Sequence, residues 1–422
     1  MPRSQRFFVG RRDVLKSVGA AGALAVAGFP AIARGQSSGP IRIGMPTILS
    51  GRVAQLGISS RNAVLMEVDA FNAAGGLDGR KIEMVIRDSK GQPAEAARVT
   101  RELINTDQCE IILDAEASSG GFAVHEVIRE SGHLCLHTNS ETSALTADPK
   151  LHVPNAFRVA RQGIHDSIAG GLYAAEIVKA KGLKRWMTAS PDYAYGRDTT
   201  AEFVEYLKYF TPGVEVVGDT WPKLFQADYT ENITKILQGR PQAFYSCLWG
   251  GDLVTFIEQG ALYGLFDQVT TFAVNMADYT TLQQIKQLPK GIHSGNRYLK
   301  SFPALPSNAM WGEAYRTKHG AYPTNWAWQS ATGMQFLIAA MRKTGSADGK
   351  KLAAALRGMT IESPFGAQGK ITMRPEDQTI VDYAIGWGTT APKEPYVEQM
   401  HVADWKRIYE LEVAWKKSKG YA

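Results

Sequence analysis

Short apolar runs alternate with segments of helical period along this chain, and they do so in two successive blocks. In the first, residues 41–44 read as a strand, and Val64, Val68 and Phe71 recur at i, i+4, i+7 on one helix face. Gly75-Gly76-Leu77-Asp78-Gly79 supplies residues that tolerate positive φ at a turn. Ile82, Met84 and Ile86 alternate within a strand over 81–88, and Pro93 opens a helix with Ala96, Val99 and Leu103 aligned. A strand over 110–113, a helix over 121–131 and a strand over 133–138 follow.

The second block starts after a non-periodic stretch, 140–154. Ile164, Ile168 and Leu172 mark a helix, 185–190 a strand, Phe203, Leu207 and Phe210 a helix, and 214–220 a strand. Helices over 229–238 and 252–260 then alternate with strands over 243–248 and 269–274. Near-continuous apolar strands between helices predict parallel sheets covered on both faces, and two such blocks predict two α/β lobes. From residue 294 the alternation weakens into helices over 308–319, 325–344 and 351–357 and β segments over 364–372 and 379–387. These read as elements returning to complete both lobes, so the chain crosses between them more than once and leaves a hinged cleft.

Composition fits a folded chain: 44% of the 422 residues are apolar and 21% charged. The formal charge of +6 is concentrated at the head, where Arg3, Arg6, Arg11, Arg12 and Lys16 face only Asp13, and no basic cluster elsewhere suggests a nucleic-acid partner. The small, apolar segment 17–29 and Pro30-Ala31-Ile32-Ala33 complete an export-signal pattern over 1–33. Gly10-Arg11-Arg12-Asp13-Val14-Leu15-Lys16 resembles a twin-arginine motif with Val14 where Phe is usual, which predicts a periplasmic mature protein.

Catalytic motifs are scarce. Gly386-Trp387-Gly388-Thr389-Thr390-Ala391 fits the dinucleotide spacing, but Pro392 follows and no helix pattern does, so no phosphate site is expected. His133, Cys135 and His137 would share one face of a strand; they are zinc-compatible types, yet three ligands on one strand suit a tetrahedron poorly and no metal is expected. Cys109, Cys135 and Cys247 permit one bridge at most, between Cys109 and Cys135 on consecutive strands, with buried apolar thiols as the alternative.

Several segments, in order, resemble the substrate-binding proteins of branched-chain amino acid type ABC transporters, the leucine/isoleucine/valine-binding protein family. They are Ile41-Arg42-Ile43-Gly44 with Leu49-Ser50-Gly51, VDAFNAAGGLDGR from Val68 to Arg80, Asp88 with Gly91-Gln92-Pro93, Ser118-Ser119-Gly120, Thr142-Ser143-Ala144-Leu145-Thr146, and Tyr193-Ala194-Tyr195-Gly196. The resemblance implies a type I periplasmic binding protein: an α/β fold of two Rossmann-like lobes with parallel central sheets joined by three crossovers. Lobe 1 is expected over 40–157 plus 292–375, and lobe 2 over 158–291 plus 376–422. It implies a small-molecule ligand, delivery to an ABC transporter permease in the inner membrane, no nucleic acid, no cofactor and no catalysis; a monomer is expected.

The family's carboxylate-binding serine matches Ser118, followed by Ser119, where small residues between a strand and a helix let a ligand approach unpaired N–H groups. The family's threonine in the next loop falls on Glu141, or on Thr142 one register later. A glutamate there would repel a bound carboxylate and favour an ammonium or amide N–H. On the second lobe Tyr195 and Trp249 match aromatic cleft positions after strand ends, where open α/β sheets bind ligands. The family's acidic ammonium partner falls on Met276, with Asp278 two residues on, and a first-loop tyrosine is replaced by Leu56. An unpaired buried ammonium would cost several kcal/mol, so Glu141 or Asp278 supplies its counter-charge, or the ligand has none. An aliphatic amino acid is the first expectation, an aromatic or aliphatic carboxylic acid or an amide the second. An exported α/β enzyme and a receptor serving a sensor remain further alternatives.

Overall fold

The structure, a computed structural model, describes residues 39–422, so the expected signal over 1–33 lies outside the described residues. The first block runs β1 (Ile41–Thr47), α1 (Gln55–Ala73), β2 (Ile82–Asp88), α2 (Pro93–Asn105), β3 (Ile111–Asp114), α3 (Ser118–Ser131), β4 (Leu134–His137), the single turn α4 (Ala144–Ala147) and β5 (Ala156–Arg158). Its strands form an all-parallel sheet in the order β2-β1-β3-β4-β5. Ile41, Ile43, Ile111, Leu113 and Leu136 are fully buried, as strands covered on both faces require.

The second block comprises α5 (Gly163–Lys181), β6 (Arg185–Ala189), α6 (Ala194–Phe210), β7 (Glu215–Thr220), α7 (Thr230–Gly239), β8 (Ala243–Ser246), α8 (Gly250–Leu262), α9 (Leu265–Gln268), β9 (Thr270–Ala273), β10 (Ala277–Asp278), α10 (Tyr279–Leu282) and β11 (His293–Tyr298). Then come α11 (Pro306–His319), α12 (Asn325–Thr344), α13 (Gly349–Leu356), β12 (Thr360–Glu362), β13 (Lys370–Met373), β14 (Ile380–Val381), β15 (Gly386–Thr390), β16 (Val397–Val402) and α14 (Trp405–Lys419). The second sheet has the order β16-β15-β11-β9-β8-β6-β7, with β10 beside β11; β15 and β16 run antiparallel to their neighbours. Gly386–Thr390 is thus a strand between strands, not a phosphate turn.

The chain leaves the first sheet after β5, returns after β11 so that α12 packs along α1, and passes to β15 after β14, which gives three crossovers. β11 hydrogen-bonds in the second sheet, whereas the division expected from the sequence put residues from 292 onward with the first lobe. Its run His-Ser-Gly-Asn-Arg-Tyr carries almost no apolar pattern, which is why periodicity passed over it. β12, β13 and β14 make a small antiparallel sheet.

The crossovers are bound to one another. The Arg161 guanidinium, just after β5, donates to Asp166 and lies 5.2 Å over the ring of Tyr383, whose hydroxyl accepts the Gln162 N–H at 3.0 Å. Arg297, near the end of β11, reaches Asp166 at 2.9 Å. All three cysteines are free and buried. No described helix is long and apolar enough to cross a membrane.

Candidate functional site

Loops at the carboxyl ends of the strands of both sheets, with the start of α12, enclose about 450 Å³ of atom-free space, part of it open to solvent. The first lobe contributes Leu56 from α1, Ala117 and Ser118 at the start of α3, and Asn139 and Glu141 beyond β4. The second contributes Tyr193, Tyr195, Trp249, Asn275, Asp278 and Thr281. Arg297, Asn325 and Trp326 arrive from the second crossover and the start of α12.

Ser118 is the first residue of α3, three residues before the expected start, and the residue flanking the helix is Ala117, so Ser118 is not its cap. Its Oγ accepts the Thr142 N–H at 3.2 Å, which ties the loops after β3 and β4 and leaves the hydroxyl hydrogen for a ligand.

Aromatic rings form the apolar part. The indole N–H of Trp249 donates to the Tyr193 hydroxyl at 2.8 Å, and Trp249 meets Trp326 edge-on, centroids 5.6 Å apart. Asn275 donates to the Tyr195 hydroxyl at 3.0 Å. Burial holds the phenols of Tyr193 and Tyr195 far above their ordinary pKa, so both stay protonated.

Charge in the cavity is balanced from within. Glu141 accepts from Asn325 Nδ2 at 2.7 Å and Gln329 Nε2 at 3.2 Å with one oxygen, and pairs with Arg297 through the other. Burial alone would lower the pKa of Arg297, but the carboxylates of Glu141 and Asp166 more than offset it and hold the guanidinium charged. Asp278 is different: its oxygens accept the N–H groups of Thr280 at 2.9 Å and Asn325 at 2.6 Å, and among the described residues it makes no ion pair. Burial raises its pKa against those two hydrogen bonds.

Of the residues expected at the site, Ser118, Glu141, Tyr195, Trp249, Leu56 and Asp278 line one cavity, while Ser119, Thr142 and Met276 do not. Ser119 is half-buried one step around the helix. Thr142 turns its hydroxyl to Asp198 on α6. Met276 is fully buried in a hydrophobic cluster of the second lobe with Phe244, Leu253 and Ile257. Its neighbour Asn275, in the turn after β9, lines the cavity instead.

The lobes also touch beyond the cavity. Arg52, between β1 and α1, donates to Thr255 on α8 at 2.7 Å and approaches Asp252 at 3.5 Å, while Asp252 also accepts the Phe225 N–H at 2.8 Å. Among the described residues, no group of three or more His, Cys, Asp or Glu side chains is placed to hold a metal. His137 sits 2.5 Å from Asp114, 3.0 Å from His125 and 3.9 Å from the Cys135 sulfur, within hydrogen-bonded packing of the first lobe.

A family model described as periplasmic binding protein matches residues 40–386. The chain belongs to that family. It is 25% identical over 385 residues to Leu/Ile/Val-binding protein homolog 4 of Brucella abortus, covering 85% of both chains. It is 22% identical to a leucine-, isoleucine-, valine-, threonine- and alanine-binding protein of Pseudomonas aeruginosa, over 82% of this chain and 89% of that one. Among solved structures, a solute-binding protein of an ABC transporter from Rhodopseudomonas palustris, in complex with 3,4-dihydroxybenzoic acid, superposes with TM-score 0.77 at 24% identity, over 86% of this chain and 96% of that one.

The site of this periplasmic binding protein includes residues the sequence did not point to. Arg297, Asn325 and Trp326 stand over a hundred positions from Ser118, in or after the strand that carries no apolar pattern. Tyr193 and Asn139 lie within two residues of positions that were singled out.

Proposed function

We propose that this protein is the periplasmic receptor of an ABC transporter and captures an amino acid with an apolar side chain. The observation that carries the reading is Asp278: a buried carboxylate without an ion-pair partner among the described residues, in a cavity that Ser118 and four aromatic rings also line. A zwitterion matches both polar ends, with its carboxylate on Ser118 and its ammonium on Asp278, while Leu56, Trp249 and Trp326 cover the side chain. Glu141 is excluded as the main counter-charge because Arg297 already neutralises it.

Ligand contacts to both lobes favour the closed arrangement, which the permease then engages. The chain acts as a monomer without catalysing a reaction, and the twin-arginine-like head directs its export. Calorimetry with leucine, valine, phenylalanine and alanine tests the reading. Binding of the larger amino acids, abolished by Asp278→Asn, supports it; indifference to that substitution refutes the assignment of the ammonium.

A second reading, an aromatic acid, draws on the four rings of the cavity and on the same Asp278. Burial favours the protonated form of Asp278, and a neutral carboxyl group does not oppose an anion seated among Tyr193, Tyr195, Trp249 and Trp326. Benzoate-type acids binding more tightly than any amino acid, and more tightly at lower pH, would decide for it.

A further inference from the structure

We infer that Asn139 selects among ligands by presenting a hydrogen-bond acceptor beside the donor of Ser118, and so favours α-amino acids and primary amides over simple carboxylic acids of the same shape. The inference deepens the receptor reading and rests on it.

Asn139 lines the cavity, is 5% exposed, and its Oδ1 has no partner in the protein. Its amide is held in one orientation by proton bookkeeping. The Ser60 hydroxyl has a single hydrogen, which it gives to the Trp326 carbonyl at 3.3 Å. Toward Asn139 it accepts, from Nδ2 at 2.8 Å. With the amide nitrogen fixed on Ser60, the oxygen is left as the free end.

The donor next to it is equally determined. Strands β3 and β4 are parallel neighbours, pairing Asp114 with His137, so Ser118 and Asn139 lie in adjacent loops at the same sheet end. The Ser118 oxygen is engaged by the Thr142 N–H, and its hydrogen is free to donate. A ligand head that satisfies both groups carries an acceptor for Ser118 and an N–H for Asn139. A primary amide does this with its carbonyl and its NH2, and an α-amino acid with its carboxylate and ammonium. A simple carboxylate meets Ser118 but sets an oxygen against Asn139. A buried polar atom left unpaired by the wrong ligand is the strongest source of discrimination available to such a pocket.

The probes are valine, isobutyramide and isobutyrate, measured by titration calorimetry. The parent protein should bind valine and isobutyramide at least about tenfold more tightly than isobutyrate. Asn139→Ala should weaken the first two and leave the acid unchanged, so that the amide-to-acid ratio collapses while valine keeps the part of its preference that Asp278 supplies. Ser60→Ala, which touches no ligand, should shift the ratio the same way by freeing the amide to rotate; its result decides if Asn139→Ala does not fold. Equal affinity for amide and acid in the parent, or an equal loss for all three probes in Asn139→Ala, overturns the inference and leaves the receptor reading standing. A folded protein that binds none of the three, nor any larger amino acid, overturns both.

Discussion

Arg297 pairs with Glu141 and Asp166 at once, and this buried guanidinium joins the loop after β4 to the first crossover helix. Asp166 in turn holds Arg161, which lies over Tyr383 in the third crossover. The floor of the cavity and the three connections between lobes are therefore one charge-balanced network.

Breaking that network is expensive because a lone buried charge is left behind. Arg297→Met should destabilise the ligand-free protein by ~3–5 kcal/mol, whereas Glu141→Gln, which keeps an acceptor for Asn325, should cost clearly less. Urea unfolding of both variants checks the order. Equal stability of parent and Arg297→Met would remove the bracing role.

Ammonium recognition by Asp278 carries a pH signature. Burial raises the pKa of Asp278 while an ammonium favours its ionised form, so amino acid affinity should rise with pH through the range in which Asp278 ionises. Calorimetry in two buffers of different ionisation enthalpy should register proton release on binding within that range.

The contact of Arg52 with Asp252 and Thr255 stabilises closure from outside the cavity. Arg52 is partly exposed, so Arg52→Ala should cost on the order of 0.5–1 kcal/mol, or about two- to fivefold in affinity, equally for every ligand. A change in ligand ranking in this variant would contradict the assignment.

Acid should weaken the fold before it affects most carboxylates. Burial, then His137, lowers the pKa of His125 to about 3, and burial, then Lys181, lowers that of His293 to about 4. Between the unfolded value of about 6.5 and these folded values, the unfolded chain binds more protons, so stability falls as pH falls. The slope approaches about 1.4 kcal/mol per pH unit for each histidine, readable from thermal melts between pH 6.5 and 4.

Most of the fold was legible because each strand and helix carries its own local pattern, as the matched face Val64, Val68 and Phe71 shows. β11 was not, since a strand read as polar can still be buried when its neighbours cover it. At the site, the same contrast holds. Ser118, Tyr195 and Trp249 are legible through the family resemblance, at loops that follow strand ends. Arg297 and Trp326 become neighbours of Ser118 only through long-range packing, which no local period encodes. Met276 and Asn275 are one step apart at the turn after β9, and that step exchanges core for cavity.

The separation of Arg52 from the cavity has a practical corollary. In the proposed receptor, mouth residues set how much of the population is shut, while Asn139 and Asp278 set what it shuts on. A metabolite detector built on this scaffold, with a dye reporting the gap between Arg52 and Asp252, can have its working concentration range retuned at the rim without altering its chemical discrimination.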